Sequence, residues 1–320
     1  MTDKERYRKL CADEPSIPIY SRDWWLDCVC GENNWDVLLY CSDSSSEKIE
    51  AAFPFYVPYK KGIIMPTFTQ TLGIWFNPEF EKENYTKNLH WKQNICEQLI
   101  NRLPKHTYFV QNFHYSFTDW LPFYWKGYRQ TTLYTYILPD ISNIEEKLKN
   151  RSYDIKKAQT KYRIDVKTNI PVDLFLKMYA KTFERQGEKA YKPEILRRLI
   201  ETAYLRNQGN TWGAFDETGQ LHAVVFVVWQ KNCAYYIAGG SDSTGRESGA
   251  HIFVLSEAIR AVSEVSASFD FEGSMIQGVE YLFRSFGAIQ KPYFTISKGK
   301  RPLLQASIKK LCNFFKIHPK

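Results

Sequence analysis

The stretch AYYIAGGSDSTGRESGAHIFVLSEAIR, residues 234–260, decides the predicted fold. It follows an apolar, β-branched and aromatic run that begins at residue 223 and predicts strands. We expect the second of these strands to break at the glycine pair ending at Gly240 and to open into a loop of small polar residues. A helix is predicted from Gly249 or Ala250, because apolar residues then recur at helical spacing.

A strand that leads through a glycine-rich loop into a helix N-terminus can hold an anion. The first-turn N–H groups point outward, the helix dipole favours negative charge, and glycines let a ligand approach the backbone. Four glycines and Arg246 lie within eleven residues. The predicted donor-binding residues are Gly240, Ser241, Arg246, Ser248, Gly249 and Ala250. A mobile surface loop is the alternative.

Composition predicts a folded protein with packed cores and no membrane span. Of 320 residues 44% are hydrophobic and 16% aromatic, and no apolar run reaches the ~18 residues of a transmembrane helix. The charged N-terminus resembles no signal peptide, so we expect a cytoplasmic protein. The seven cysteines form no CxxC pair, which predicts free thiols in a reducing compartment and no metal site.

The net charge of +8 is concentrated at the C-terminus. Residues 298–320 carry seven basic and no acidic residues, so the rest of the chain is nearly neutral. This basic tail can contact RNA phosphates or a membrane surface, or it can be a solvated helix. A DNA partner is not expected.

The remaining pattern predicts alternating strands and helices. Predicted helices are 89–103, 143–161, 172–186, 193–206, 250–265 and 279–286. Predicted strands are 36–40, 49–59, 107–113, a pair around a turn at Lys126 and Gly127 within 123–138, 211–215, 221–229 and 269–272.

A shift of 160 residues superposes one half of the chain on the other. Gly127 then meets Gly287, and Phe109 meets Phe269 at the start of a strand. The order of elements also repeats, which predicts an α/β protein of two copies of one unit. We expect units at 1–140 and 141–300, followed by a basic tail or helix at 301–320. Only the second copy has the glycines, so the first is expected to serve the acceptor.

The second half resembles the GNAT acyltransferase fold, in which a Q/R-x-x-G-x-G/A loop holds coenzyme A pyrophosphate. Arg246 and Gly249 match that loop, and His251 stands where the last Gly or Ala is usual. The whole chain is similar to the tandem-GNAT Fem type, the peptidoglycan-bridge aminoacyltransferases and their bacterial relatives. The similarity rests on KNRSYDIKKA at 149–158, TFERQG at 182–187, the glycine stretch leading to SEAIR, and FDFEGSM at 269–275 with GVE at 278–280 and FGA at 286–288.

The resemblance implies two tandem GNAT-like units, each a mixed, largely antiparallel sheet flanked by helices. It also implies transfer of an acyl or aminoacyl group to the amine of a small molecule or cell-wall precursor. The donor would be acyl-CoA or aminoacyl-tRNA, with no tightly bound cofactor. Arg151, Lys156 and Lys157 form a basic face on the predicted junction helix, which can hold the phosphate or carboxylate of an acceptor or can be merely solvated.

Acyl transfer to an amine requires a proton acceptor for the amine and a proton donor for the leaving group. Asp270 and Glu272 alternate with phenylalanines, so both are predicted on one face, with Glu272 the preferred base. Tyr236 is a candidate proton donor. His251, kept neutral by the helix dipole, is a candidate base. The alternatives are a solvated or paired carboxylate at Glu272, core packing of Tyr236, and capping or packing by His251.

Two other functions are compatible with the sequence. A relative of this fold without catalytic activity can use the same cleft to hold a ligand. An RNA-associated protein can use the basic tail. No Ser–His–Asp order, HExxH, Walker A or nucleotide GxGxxG motif is present.

Overall fold

The computed structural model describes residues 1–42, 48–59, 62–184, 187–273 and 275–299. The chain forms two compact units, Met1–Leu133 together with the chain from Pro292, and Tyr134–Lys291. The tail predicted at 301–320 lies outside the described residues. Within the described ranges, no helix has the length and apolar character needed to cross a bilayer.

The first unit combines α-helices with strands that lie in one sheet. Its helices are α1 Asp3–Asp13, α2 Asp23–Cys30, α3 Tyr85–Arg102 and α4 Leu121–Trp125. Its strands are β1 Trp35–Tyr40, β2 Ala51–Tyr59, β3 Gly62–Ile64, β4 Trp75–Phe76 and β5 Tyr108–Phe113. The order is β1-β2-β3-β5, with β4 on β2, and the chain from Pro292 pairs with β5. All these pairs are antiparallel except β3 with β5.

An aromatic core fills the space between this sheet and α3. Phe53 of β2, Phe109 of β5 and Phe123 of α4 are fully buried and meet one another through edge-to-face and tilted ring contacts. Such pairs stabilise a core beyond the area they bury. From α3, Ile95 and Leu99 complete the cluster, as their helical spacing predicts.

The second unit contains the quoted stretch. The elements that lie in it wholly or in part are β6 Arg129–Leu138, α5 Ile144–Leu148, α6 Ser152–Lys156, β7 Asp165–Thr168, α7 Val172–Glu184, α8 Pro193–Leu205, β8 Gly209–Phe215, β9 Leu221–Trp229, β10 Cys233–Ser241, α9 Ser243–Ser248, α10 Ala250–Val262, β11 Ser268–Asp270, α11 Gln277–Ser285 and β12 Ile289–Gly299. Most of β12, from Pro292, belongs to the first unit. The sheet order is β6-β11-β10-β9-β8-β7. Only β10 and β11 run parallel, so the sheet is largely antiparallel, as predicted.

A buried hairpin and one helix form the centre of this unit. β9 is buried over eight of its nine residues, because α10 packs against it and α7 also contacts it. Its turn to β8 has Gly219 at φ +83°, the left-handed conformation that glycine adopts without strain. The predicted hairpin is therefore confirmed.

Three sequence predictions are wrong in detail. The helix predicted at 143–161 is divided into α5, a 3₁₀ turn Lys149–Arg151, α6 and a π-helical turn Lys157–Lys161. The first strand predicted within 123–138 is replaced by α4, since Phe123 of that short helix enters the aromatic core. The strand β10 does not break at its glycines but continues to Ser241.

Candidate active site of the second unit

The strands β10 and β11 pair in parallel over a short stretch and then separate. Their register ends at Tyr235 opposite Asp270, where β11 stops, while β10 continues to Ser241. The register of β10 with β9 also shifts between Tyr236 and Ala238. In open α/β sheets, ligands bind beyond the carboxyl ends of parallel strands.

The two glycines of β10 allow close packing rather than a loop. A Cβ atom at Gly239 would lie 2.2 Å from the Tyr236 hydroxyl. One at Gly240 would lie 2.8 Å from the carbonyl oxygen of Met178 and 2.9 Å from the Cα of Tyr179. Helix α7 can therefore approach β10 this closely only because Gly240 lacks a side chain, and the Tyr236 hydroxyl occupies the space that a side chain at Gly239 would need.

The predicted loop is in fact the short helix α9. Asp242 caps it, because its Oδ1 accepts a hydrogen bond from the Gly245 N–H at 2.8 Å. Gly249, at φ +82°, ends α9, and α10 begins at Ala250. The predicted start of the long helix is confirmed.

The six predicted donor-binding residues fall on three segments. Gly240 and Ser241 end β10, Arg246 and Ser248 belong to α9, and Gly249 and Ala250 form the junction with α10. The exposed Arg246 donates from Nη1 to the Ser241 carbonyl at 2.9 Å. The N–H of Ala250 donates to the buried Ser248 hydroxyl at 3.3 Å.

Gly249 is itself buried against α6. A Cβ atom there would lie 2.9 Å from the Asp154 carbonyl oxygen, so the junction of α9 and α10 is covered on that side.

The structure brings Tyr236 and His251 together. Their Oη and Nε2 atoms are 3.4 Å apart, and the rings meet edge to face. Burial lowers the pKa of His251 to about 4, against a smaller opposing effect of the Gly240 backbone. Burial raises the pKa of Tyr236. At neutral pH, a neutral imidazole therefore faces a protonated phenol.

Glu272 has the most unusual environment of the predicted catalytic residues. Its backbone is left-handed, at φ +63°, and within the described ranges its Oε1 atom is buried without a hydrogen-bond partner. Burial raises the pKa of this carboxyl well above its usual range. Such strained, poorly solvated residues concentrate at functional sites.

Asp270 is buried beneath Glu272. Its Oδ1 accepts hydrogen bonds from the Thr135 hydroxyl and from the Glu272 N–H. The prediction that Asp270 and Glu272 share a strand face is wrong, because β11 ends at Asp270 and the left-handed turn interrupts the alternation. Gly273 follows at φ +53°, and a Cβ atom there would lie 2.1 Å from the Tyr134 carbonyl oxygen of β6.

Two of the three basic residues predicted for the acceptor are bonded to other groups of the protein. Arg151 pairs with Asp154 at 3.4 Å and lies over the Phe286 ring, and Lys157 donates to the Glu247 carbonyl at 2.6 Å. Only Lys156 has an exposed side chain. The 3₁₀ and π turns rotate successive side chains by angles that differ from the α-helical step.

Two polar clusters were not anticipated from the sequence. One is the pair of Asp270 with Thr135. In the other, His222 lies between two aspartates. Its Nε2 is 3.1 Å from Oδ2 of Asp216, and its Nδ1 is 3.0 Å from Oδ2 of Asp242. The signal for the second was the hairpin register, which places Ala223 opposite Ser241 and so brings His222 near Asp242. The described residues contain no group of three His, Cys, Asp or Glu side chains suited to a metal ion.

Comparison with known proteins supports the fold described above. Residues 147–275 match the family model of the acetyltransferase (GNAT) domain. The crystal structure of FemX matches with a TM-score of 0.63 and 11% identity over 92% of this chain and 96% of that one. The chain has a Fem-type GNAT fold.

Two further structures share this Fem-type fold. The C-terminal domain of a protein assigned as a lysylphosphatidylglycerol synthetase, from Agrobacterium fabrum, matches with a TM-score of 0.56 and 12% identity over 97% of this chain and 95% of that one. A conserved protein of unknown function from Bacteroides thetaiotaomicron matches with a TM-score of 0.53 and 13% identity over 91% and 96%. No curated protein matches the sequence.

Proposed function

We propose that this GNAT-fold protein is an N-acyltransferase or aminoacyltransferase that moves its group from a phosphate-bearing donor to an amine. The observation that carries the proposal is the buried Oε1 of Glu272, which has no hydrogen-bond partner among the described residues and lies just past the point where β10 and β11 cease to pair. A buried oxygen with free lone pairs, aimed where no protein group satisfies it, suits a proton that arrives with a substrate.

Glu272 would accept the proton of the attacking ammonium group. Enzymes commonly raise a glutamate pKa by burial so that it works as a base near neutral pH. Burial acts on Glu272 in that direction. The amine then attacks the acyl carbonyl, forming the new C–N bond as the bond to the leaving thiol or hydroxyl breaks.

Tyr236 would supply the proton of the leaving group, and the second proton lost by the amine nitrogen would restore the Tyr236 phenol. Its phenol is protonated at neutral pH, because burial raises its pKa. The neutral His251 ring beside it can accept a hydrogen bond from the hydroxyl and so orient it.

The donor phosphate would bind at the start of α10. The partial positive charge of a helix N-terminus and the exposed Arg246 both favour an anion there. The donor is an acyl-CoA or an aminoacyl-tRNA. The acceptor is the amine of a small molecule or cell-wall precursor, as the sequence resemblance implies, and of the three basic residues predicted for it Lys156 is exposed and available for an anionic group.

A binding and turnover screen tests the proposal. The full chain and Glu272→Gln are incubated with acyl-CoA thioesters and aminoacyl-tRNAs, and both thermal shift and release of coenzyme A or tRNA are measured with amine acceptors. We expect a donor that stabilises both proteins and is turned over only by the wild type. Stabilisation without turnover would indicate a binding protein instead, and the absence of both would refute the proposal.

A further inference from the structure

The first unit contains a cavity of about 690 Å³ at the carboxyl end of its parallel strand pair. Phe113, the last residue of β5, forms a parallel bridge with Leu72, and both line the cavity. All lining residues lie between Ser16 and Pro122, so the cavity belongs to this unit alone. Its volume is within the ~300–1,000 Å³ of small-molecule sites.

The cavity walls are mainly aromatic. Trp75, Phe76, Phe113 and Phe117 line it, and Tyr85, which is 78% exposed, stands among them at the start of α3. Such walls favour an apolar or aromatic body. Their ring faces also attract cations.

The charges that line the cavity are not balanced. Lys92 is paired with Glu81 at 2.6 Å and lies over the Phe76 ring. Asp119 accepts only from neutral groups, the side-chain amide of Gln93 at 2.7 Å and the N–H of Leu121 at 3.0 Å. Among the described residues, no cation forms an ion pair with Asp119.

The one lining histidine does not supply the missing positive charge. The Ser116 backbone N–H can only donate, and it points to His114 Nδ1 at 3.2 Å, so the neutral ring carries its proton on Nε2. Burial lowers the pKa of His114 to about 4, which keeps the ring neutral near pH 7.

We propose that this cavity binds a molecule with an ammonium group and an apolar or aromatic body, the ammonium group bonding to Asp119 and the body lying between the aromatic walls. A phosphate-bearing ligand is disfavoured, because the lining carries one unpaired carboxylate and no unpaired cation within the described ranges. The inference concerns binding alone and does not depend on acyl transfer.

Isothermal titration of the full chain with three matched probes, phenethylamine, phenylethanol and phenylacetate, tests the proposal. We expect phenethylamine to bind at least about tenfold more tightly than the other two probes, which corresponds to a difference of about 1.4 kcal/mol in binding free energy. Its binding should shift the NMR signals of the Gln93 side-chain amide, since that group bonds to Asp119.

Asp119→Asn keeps the shape and the acceptor oxygen but removes the charge, so phenethylamine should lose about tenfold in affinity while phenylethanol is unaffected. Asp13→Asn, at an exposed aspartate outside the cavity, is the matched control and should bind normally. Thr118→Lys, at an exposed lining position, places a cation beside Asp119 and should weaken only the amine, even if Asp119→Asn folds poorly. No binding of phenethylamine, equal binding of phenylacetate, or equal losses in Asp119→Asn and Asp13→Asn would overturn the proposal.

Discussion

Asp270 accepts a hydrogen bond from the backbone N–H of Glu272, with 2.7 Å between Oδ1 and N. The bond supports Glu272 in a left-handed conformation that non-glycine residues adopt at a cost of about 1–3 kcal/mol. The Thr135 hydroxyl bonds to the same oxygen and holds the Asp270 carboxyl in place. Asp270 is therefore a positioning residue for the candidate base.

The burial of the Asp270 carboxyl makes the stability of the protein depend on pH. Burial raises the pKa of Asp270 from 3.8 to about 6, against the hydrogen bonds from Thr135 and Glu272. The pKa of Asp270 in the folded protein lies above its value in the unfolded chain, so protonation of Asp270 favours the folded state. This contribution to the free energy of unfolding is fully present below the unfolded pKa and is lost as pH rises through about 6.

Asp270→Asn should remove this dependence while keeping an acceptor oxygen. From about pH 4 to about pH 8 we expect the wild type to lose about 2 kcal/mol of unfolding free energy relative to the variant. Urea unfolding of both proteins at the two pH values measures the difference. A difference that does not change with pH would contradict the prediction.

Glu272→Gly should stabilise the protein and abolish transfer. Glycine adopts φ +63° without strain and removes the buried, unpartnered oxygen, so we expect a gain of about 1 kcal/mol. Glu272→Gln is the matched variant, because it loses the base but keeps the strained backbone. Urea unfolding and a transfer assay on both variants check the two effects, and a destabilised Glu272→Gly would show that the carboxyl contributes to folding.

The sequence predicted the layers of this fold better than the geometry of its site. Helix α10 and the hairpin of β8 and β9 follow from spacing and turn residues, which are local signals. The left-handed turn at Glu272 could not be predicted, because it depends on Asp270 and on β6, more than 130 residues earlier in the chain.

The internal repeat remains a prediction. Thr295, the counterpart of Thr135 in the shift by 160 residues, bonds to the neutral Asn112 at 2.8 Å. In the same shift Asp270 meets Val110, so the two threonines bond to residues that are not counterparts, a difference that required tertiary contacts to recognise. The same holds for Gly239 and Gly240, whose closeness to Tyr236 and to α7 is invisible in the sequence.

Gly249→Ala should destabilise the second unit through both strain and contact. Its φ is +82°, and an added Cβ atom would lie 2.9 Å from the Asp154 carbonyl oxygen. Gly219→Ala is the matched control, since Gly219 has φ +83° and nothing within 4 Å of its Cβ position. We expect the control to lose about 1 kcal/mol and Gly249→Ala to lose clearly more. Equal losses in urea unfolding would mean that α6 moves aside without cost.

Asp242 caps α9 and also contacts His222 and Lys181. The Asp242 carboxylate accepts from the Gly245 N–H through Oδ1, while Oδ2 faces His222 Nδ1 at 3.0 Å and the Lys181 ammonium group at 3.7 Å. Asp242→Ala removes all three contacts, and loss of the cap alone costs about 1 kcal/mol. Because α9 carries Arg246 and Ser248, its fraying should also weaken donor binding.

Hydrogen exchange of the Gly245 amide distinguishes the effect of the capping hydrogen bond from that of the negative charge of Asp242. We expect this amide to exchange faster in Asp242→Ala by at least about fivefold, the equivalent of about 1 kcal/mol. In Asp242→Asn it should stay protected, because asparagine keeps the accepting oxygen while losing the attraction to His222 and Lys181. Equally fast exchange in both variants would instead assign the stability of α9 to the contacts that the Asp242 carboxylate makes with His222 and Lys181.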